Sequence, residues 1–205
     1  MPHLRVLTAL VLIAAPLAAQ PAATRATPVA ELSDALRADQ RAHLWRVGAW
    51  GLANAVGGAA LVLASDRTGA PGRWAFGVQS AAWGVINVGI AAVGLVGGTG
   101  EVTADLAAAL AAENGYADVL LVNLGLNVGY AAVGTTLFAV AGRGVSTPDA
   151  WRGHGAALVV QGVGLLALDG IAVVASRARL GALLDLVGAA DFAATAQGVV
   201  LVVPL

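Results

Sequence analysis

Gly155-Ala-Ala-Leu-Val-Val-Gln-Gly-Val-Gly-Leu-Leu-Ala-Leu-Asp-Gly-Ile-Ala-Val-Val-Ala175 is the stretch whose reading decides the fold. At ~1.5 Å of rise per residue, a helix of this length matches the ~30 Å hydrocarbon core of a bilayer. Its one ionisable side chain is Asp169. Three further apolar windows of similar length precede it, at Trp45 to Ala64, Ala75 to Val96 and Asp118 to Val140, and each predicts a transmembrane helix. The expected fold is therefore all-α, an integral membrane four-helix bundle.

Composition supports this reading, since 59% of the residues are hydrophobic and 11% charged, with a mean hydropathy of +0.81. Soluble chains of this size carry about twice that share of charge. The net charge of −1, with no basic run, excludes a nucleic-acid footprint. The absence of cysteine excludes disulfides, thiol catalysis and sulfur-ligated metals. All eleven basic residues are arginine, a bias of the kind a GC-rich bacterial genome produces.

Upstream, Met1 to Arg5 places a positive charge before an apolar run from Val6 to Leu17, too short to span and typical of a signal peptide. Residues 1–19 are read as that peptide, with cleavage after Ala19. Residues 20–44 form a polar periplasmic lead-in, with a helix from Pro28 to Ala42 capped by Thr27. The four-span domain covers 45–176. Residues 177–205 are read as an interfacial helix and an extended tail, because Asp185 and Asp191 would be costly in a fifth span. Within the middle connection, Thr103 to Glu113 predicts a short surface helix closed by Asn114-Gly115.

The connections set an orientation. Arg67 and Arg73 separate the first two spans and Arg143 and Arg152 the last two, whereas the middle connection carries Glu101, Asp105, Glu113 and Asp118. The positive-inside rule puts the arginine loops in the cytoplasm of a bacterial inner membrane and both mature termini in the periplasm.

Polar residues within spans are costly and therefore informative. Counting ~1.5 Å per residue places Asn54, Asn87 and Asn127 each ~14 Å below the outer surface and Asp169 ~9 Å, one from every helix. Asn123 shares the stripe of Asn127, while Gln79, Gln161 and the Thr135-Thr136 pair make a second, inner layer. Two readings remain open. In one, the amides are interhelical glue at ~0.6–2 kcal/mol each; in the other, Asp169 centres a ligand site or polar path. An ionised Asp169 would need protonation, the asparagines, or a snorkelling Arg46 or Arg177.

Small residues at Gly125-x-x-x-Gly129 and Ala53-x-x-x-Gly57 suit close helix packing, and exposed glycine faces suit a homodimer or a membrane-protein partner. Asn87-Val-Gly-Ile-Ala-Ala-Val-Gly94 echoes Asn127-Val-Gly-Tyr-Ala-Ala-Val-Gly134; shared packing needs or chance explain this better than an inverted transporter repeat. His43 and His154 fall at opposite span ends and cannot share a haem, and no histidine pair has metalloprotease spacing. Both are read as interfacial, as are Trp45, Trp50, Trp74 and Trp151, with Trp83 inside on the polar stripe. No nucleophile stands out, so no enzyme activity and no cofactor are expected. The lipid bilayer is the expected partner, and the sequence does not identify a small-molecule ligand.

Several segments together resemble an uncharacterised bacterial membrane-protein family, domain of unknown function family 6992. They are Gly48-Ala-Trp-Gly-Leu-Ala-Asn54, Trp83-Gly-Val-Ile-Asn87, Val122-Asn-Leu-Gly-Leu-Asn-Val-Gly-Tyr130, and Gly153-His-Gly155 with Gln161-Gly162 and Asp169. The resemblance implies a multi-span protein and singles out Asn54, Asn87, Asn123, Gln161 and Asp169, but no activity. Family members often carry Asp where this chain has Asn127, which argues here against a mechanism needing two acids. The expected role is a non-enzymatic structural or accessory membrane component; the alternative is a small transporter or ligand sensor.

Overall fold

The computed structural model describes residues 27–188, together with the backbone of strands 191–195 and 198–202. The proposed signal peptide lies outside the described residues. Four helices follow one another: α1 (Pro28–Leu63), α2 (Pro71–Gly97), α3 (Leu106–Ala141) and α4 (Pro148–Gly188). A two-stranded antiparallel hairpin, β1 (Asp191–Thr195) and β2 (Gly198–Val202), ends the described chain. All four helices are long and apolar enough to cross a membrane, and each contains one predicted span.

Helix starts follow their local chemistry. Thr27 Oγ1 accepts a hydrogen bond from the Ala30 amide at 3.3 Å, with Pro28 in the first turn, as expected for a cap followed by proline. Asp105 caps α3 in the same way, accepting from Ala108 N at 2.7 Å. Gly98, with φ 83° and ψ 159°, takes a positive-φ conformation that glycine alone adopts readily and ends α2.

Three expected short helices are instead parts of longer ones. The Pro28 lead-in runs without a break into the first span, α3 passes straight through Asn114-Gly115, and residues 177–188 continue α4. A stop signal loses to tertiary packing here, because Asn114 and Gly115 are exposed while Glu113 beside them is wholly buried. Beyond α4, strands 191–195 and 198–202 pair antiparallel as the hairpin.

The buried positions of α3 include Glu113, Leu120, Asn127, Gly134 and Ala141, a strict seven-residue repeat. On α4 the buried series Leu158, Gly162, Leu165, Asp169, Ala172, Ser176, Arg179 and Leu183 alternates steps of four and three around that period, with Gln161 beside Gly162 on the same face. Such a repeat keeps one face on the partner through left-handed supercoiling. Accordingly α3 packs along α4 and α1 along α2, and the two hairpins join where α2 and α4 meet; the backbones of α2 and α3 do not approach.

The close approaches occur at glycines. A Cβ on Gly51 would lie 2.8 Å from Gly84 O, and one on Gly134 would lie 2.6 Å from Gly155 O. A side chain at Gly84, Gly58 or Gly153 would also run into neighbouring backbone. The small-residue motifs picked from the sequence are not the ones used, since Gly57, Gly125 and Gly129 have open space around them.

The exterior is apolar and the interior polar. Leu52, Val85, Ile90, Val93, Val122, Leu126, Val133, Val163, Ile171 and Val174 are all exposed, while Asn87, Asn127, Gln161 and Asp169 are buried. That inversion fits a hydrocarbon surround. α2 ends near the level of Leu44, whose side chain lies against Gly94, so α1, α3 and α4 project past it. There Val29, Ala109 and Leu183 form a small apolar core, and the Thr103 amide of the connection donates to Ser33 Oγ at 3.1 Å.

Candidate functional site

A file of polar side chains follows the buried face of α4. Its positions His154, Gln161, Asp169 and Ser176 step by about two turns, and each meets polar partners from other helices. At ~1.5 Å per residue the rungs stand roughly 10–12 Å apart along the axis.

The Asp169 rung joins three helices. Asn127 Nδ2 donates to Asp169 Oδ2 at 2.6 Å, and Asp169 Oδ1 lies 3.1 Å from His43 Nε2. All three side chains are buried. The carboxylate partner is thus His43, which the sequence reading had placed at the interface, and not Arg46 or Arg177, which are exposed. A histidine reaches this carboxylate because it sits on the buried series of α1, with Leu36, Val47 and Gly51.

The Gln161 rung lies about two turns further in. Gln161 Oε1 accepts from Trp50 Nε1 at 2.9 Å and from Asn87 Nδ2 at 3.3 Å. Gln161 is fully buried and Asn87 nearly so. Trp50 is therefore a core residue and not part of the interfacial belt; its ring covers Gly164, where any side chain would collide with it. Asn87 and Asn127 belong to different rungs, not to one layer as helical counting suggested. Both asparagines of the internal sequence echo donate to acceptors on α4.

Two of the predicted positions stand apart. Asn54 is half-buried and turns its Nδ2 to the Trp50 carbonyl of its own helix at 2.8 Å. Asn123 is half-buried on α3 and takes no part in these rungs. The expected inner layer also splits. Thr135 and Thr136 are exposed and donate to the carbonyls of Ala131 and Ala132 in their own helix, whereas Gln79 Oε1 lies 3.1 Å from His154 Nδ1. Trp83 packs on Tyr130, with ring centroids 4.6 Å apart, bridging α2 and α3 where their backbones stay separate.

The strongest cluster is one the sequence reading missed. Glu113 accepts from Ser176 Oγ at 2.5 Å, Arg179 Nε at 2.9 Å and Arg179 Nη2 at 3.2 Å. Arg179 also pairs with Asp39 of α1. Asp39, Glu113 and Arg179 lie on the segments read as separate surface helices, which hid them; the seven-residue spacing from Glu113 to Asn127 was the available signal. A buried Arg–Glu pair with its hydrogen bonds filled is a cross-tie whose loss of one partner costs about 3–5 kcal/mol.

Among the described residues five buried side-chain polar atoms have no hydrogen-bond partner: His43 Nδ1, Ser65 Oγ, Ser80 Oγ, the Tyr116 hydroxyl and Gln161 Nε2. Two belong to adjacent rungs. Among the described residues no group of three His, Cys, Asp or Glu is arranged to hold a metal ion.

Residues 46–170, well over half of the chain, match a family model described as a family of unknown function (DUF6992). The matched segment contains the Asp169 and Gln161 rungs apart from His43. No curated protein and no solved structure matches the chain.

Proposed function

Because the chain belongs to this family of unknown function, we propose its role from the geometry alone: it is a non-enzymatic structural or accessory component of a membrane, in which the polar file holds the four helices in register. The observation that carries this reading is closure. Asp169, Asn127, Asn87 and Gln161 are at most 4% exposed and hydrogen-bonded to one another or to neighbouring core groups. In hydrocarbon such bonds contribute ~0.6–2 kcal/mol each.

The membrane is the bacterial inner membrane, with the Arg67, Arg73, Arg143 and Arg152 end cytoplasmic. The projecting ends of α1, α3 and α4, with Glu113 and Arg179, then lie on the periplasmic side. Residues 1–19 direct export of that end.

The chain has no cysteine, so single cysteines test closure directly. In membranes, Asn127→Cys and Gln161→Cys should resist a charged, water-soluble thiosulfonate, while Thr68→Cys in the exposed loop reacts. Rapid modification of both core cysteines from one aqueous side would reveal an open path and sink the reading.

A second reading has one specific observation in its favour. The unpartnered His43 Nδ1 stands on the Asp169 rung and Gln161 Nε2 on the neighbouring rung about two turns away, and buried polar atoms in that state ordinarily hold a water or small polar ligand. A transporter or sensor would use that position.

A further inference from the structure

At the arginine-loop end, a cleft of about 510 Å³ opens where α2 and α3 fail to meet, and its lining includes Arg67, Trp74, Gln79, Leu137, Trp151 and His154. This size suits a headgroup or other small molecule. Its polar part is the Gln79–His154 contact; Leu137 and the two indoles supply apolar wall.

The charge at this cleft is arranged for an anion. Arg67 lies over the Trp74 ring, 4.9 Å from its centroid, and has no carboxylate partner among the described residues. Asp66, the acid next to it in the connection, is turned away into its own backbone, accepting from Thr68 N, Thr68 Oγ1 and Gly69 N. Those three bonds hold its carboxyl below the ordinary value, the Thr68 hydroxyl most of all. Pro71 and Thr147, at the first turns of α2 and α4, also line the cleft, and α2 lacks a side-chain cap. The α2 start therefore adds partial positive charge at the same place, and Asp149 in the first turn of α4 is paired with Arg152.

We propose that this cleft binds a phosphate-bearing amphiphile, with the phosphate at Arg67 and the apolar portion along Trp74, Trp151 and Leu137. The source of that chemistry is an acidic phospholipid of the adjoining leaflet or a soluble phosphate ester. The site shares only the Gln79–His154 contact with the polar file and lies apart from the closed Gln161 and Asp169 rungs, so its failure would leave the structural role of those rungs standing, and the reverse.

Calorimetric titration of the detergent-solubilised full chain tests it, with dioctanoyl phosphatidic acid, dioctanoyl phosphatidylcholine and glycerol phosphate as probes. Saturable binding of phosphatidic acid is expected, well above phosphatidylcholine. Arg67→Gln should weaken it about tenfold, the scale of one lost charge-assisted contact. Arg143→Gln removes the same charge from an exposed residue outside the cleft and should leave binding within about twofold. Glycerol phosphate binding with the same dependence on Arg67 would support the site and assign it to a soluble ester. Equal losses in the two arginine variants, equal binding of phosphatidylcholine, or no binding of any probe would overturn it.

Discussion

Asn127 of α3 and Asp169 of α4 meet inside the bundle, the amide donating to the carboxylate at 2.6 Å with both residues at most 4% exposed. The same carboxylate meets His43 of α1, so one acid ties three helices. In a bilayer, where apolar side chains gain little by leaving lipid for protein, such ties and close backbone packing must set helix register.

The outer cross-tie should be the more sensitive element. Glu113→Gln leaves Arg179 buried with a weakened partner and should destabilise the protein by about 3 kcal/mol, at the lower end for breaking a buried pair. Glu113→Leu combined with Arg179→Met should recover part of that loss, because no unpaired charge then remains. Thermal unfolding in detergent measures both; a double variant no better than the single one would refute the assignment.

Glycine substitutions separate packing positions from sequence motifs. Gly84→Leu should prevent α1 and α2 from closing, since Gly51 and Ala55 occupy the space. Gly125→Leu and Gly129→Leu face open space and should change stability by no more than about 0.5 kcal/mol, as surface changes usually do. The yield of monodisperse protein on size-exclusion chromatography would show the contrast, and loss in both classes would mean that the open faces are themselves interfaces.

Spans and helical class were legible because a run such as Gly155 to Ala175 has few other physical solutions. Asp169 and Gln161 were legible for the same reason, as polar groups that only partners can make tolerable there. The partners were less so. Counting residues from a surface treats helices as vertical rods, and the error placed Asn54, Asn87 and Asn127 in one layer. Asp39, Glu113 and Arg179 escaped because charged residues near span ends read as water-exposed, and only the seven-residue spacing from Glu113 through Asn127 to Ala141 shows that face to be continuous. His43 was hidden by the same habit.

In the loop between α1 and α2, the Thr68 hydroxyl is the largest cause of the lowered Asp66 pKa. Thr68→Ala should move that pKa up toward 3.8, its ordinary value, in a carbon-detected NMR titration. A depressed carboxylate contributes order above its unfolded pKa and loses it as the pH falls through the folded value. The loop of the parent should therefore stay ordered to lower pH than that of the variant, and identical titrations would remove the Asx-type turn from the account.

Trp50→Phe keeps most of the ring over Gly164 but removes one donor to Gln161 Oε1. A loss of about 1 kcal/mol is expected, within the range for hydrogen bonds between membrane helices. An unchanged melting temperature would show that Asn87 alone satisfies that oxygen.

The central claim, that the polar file is what holds the helices together, is tested most directly by a double-mutant cycle between Asn127→Ala and Asp169→Ala in thermal unfolding of the detergent-solubilised protein. The account predicts that each single change destabilises and that the pair couples by about 1–2 kcal/mol. Single variants as stable as the parent or more so, with no coupling, would contradict it, and would mark this rung as carrying a cost that only binding or transport explains.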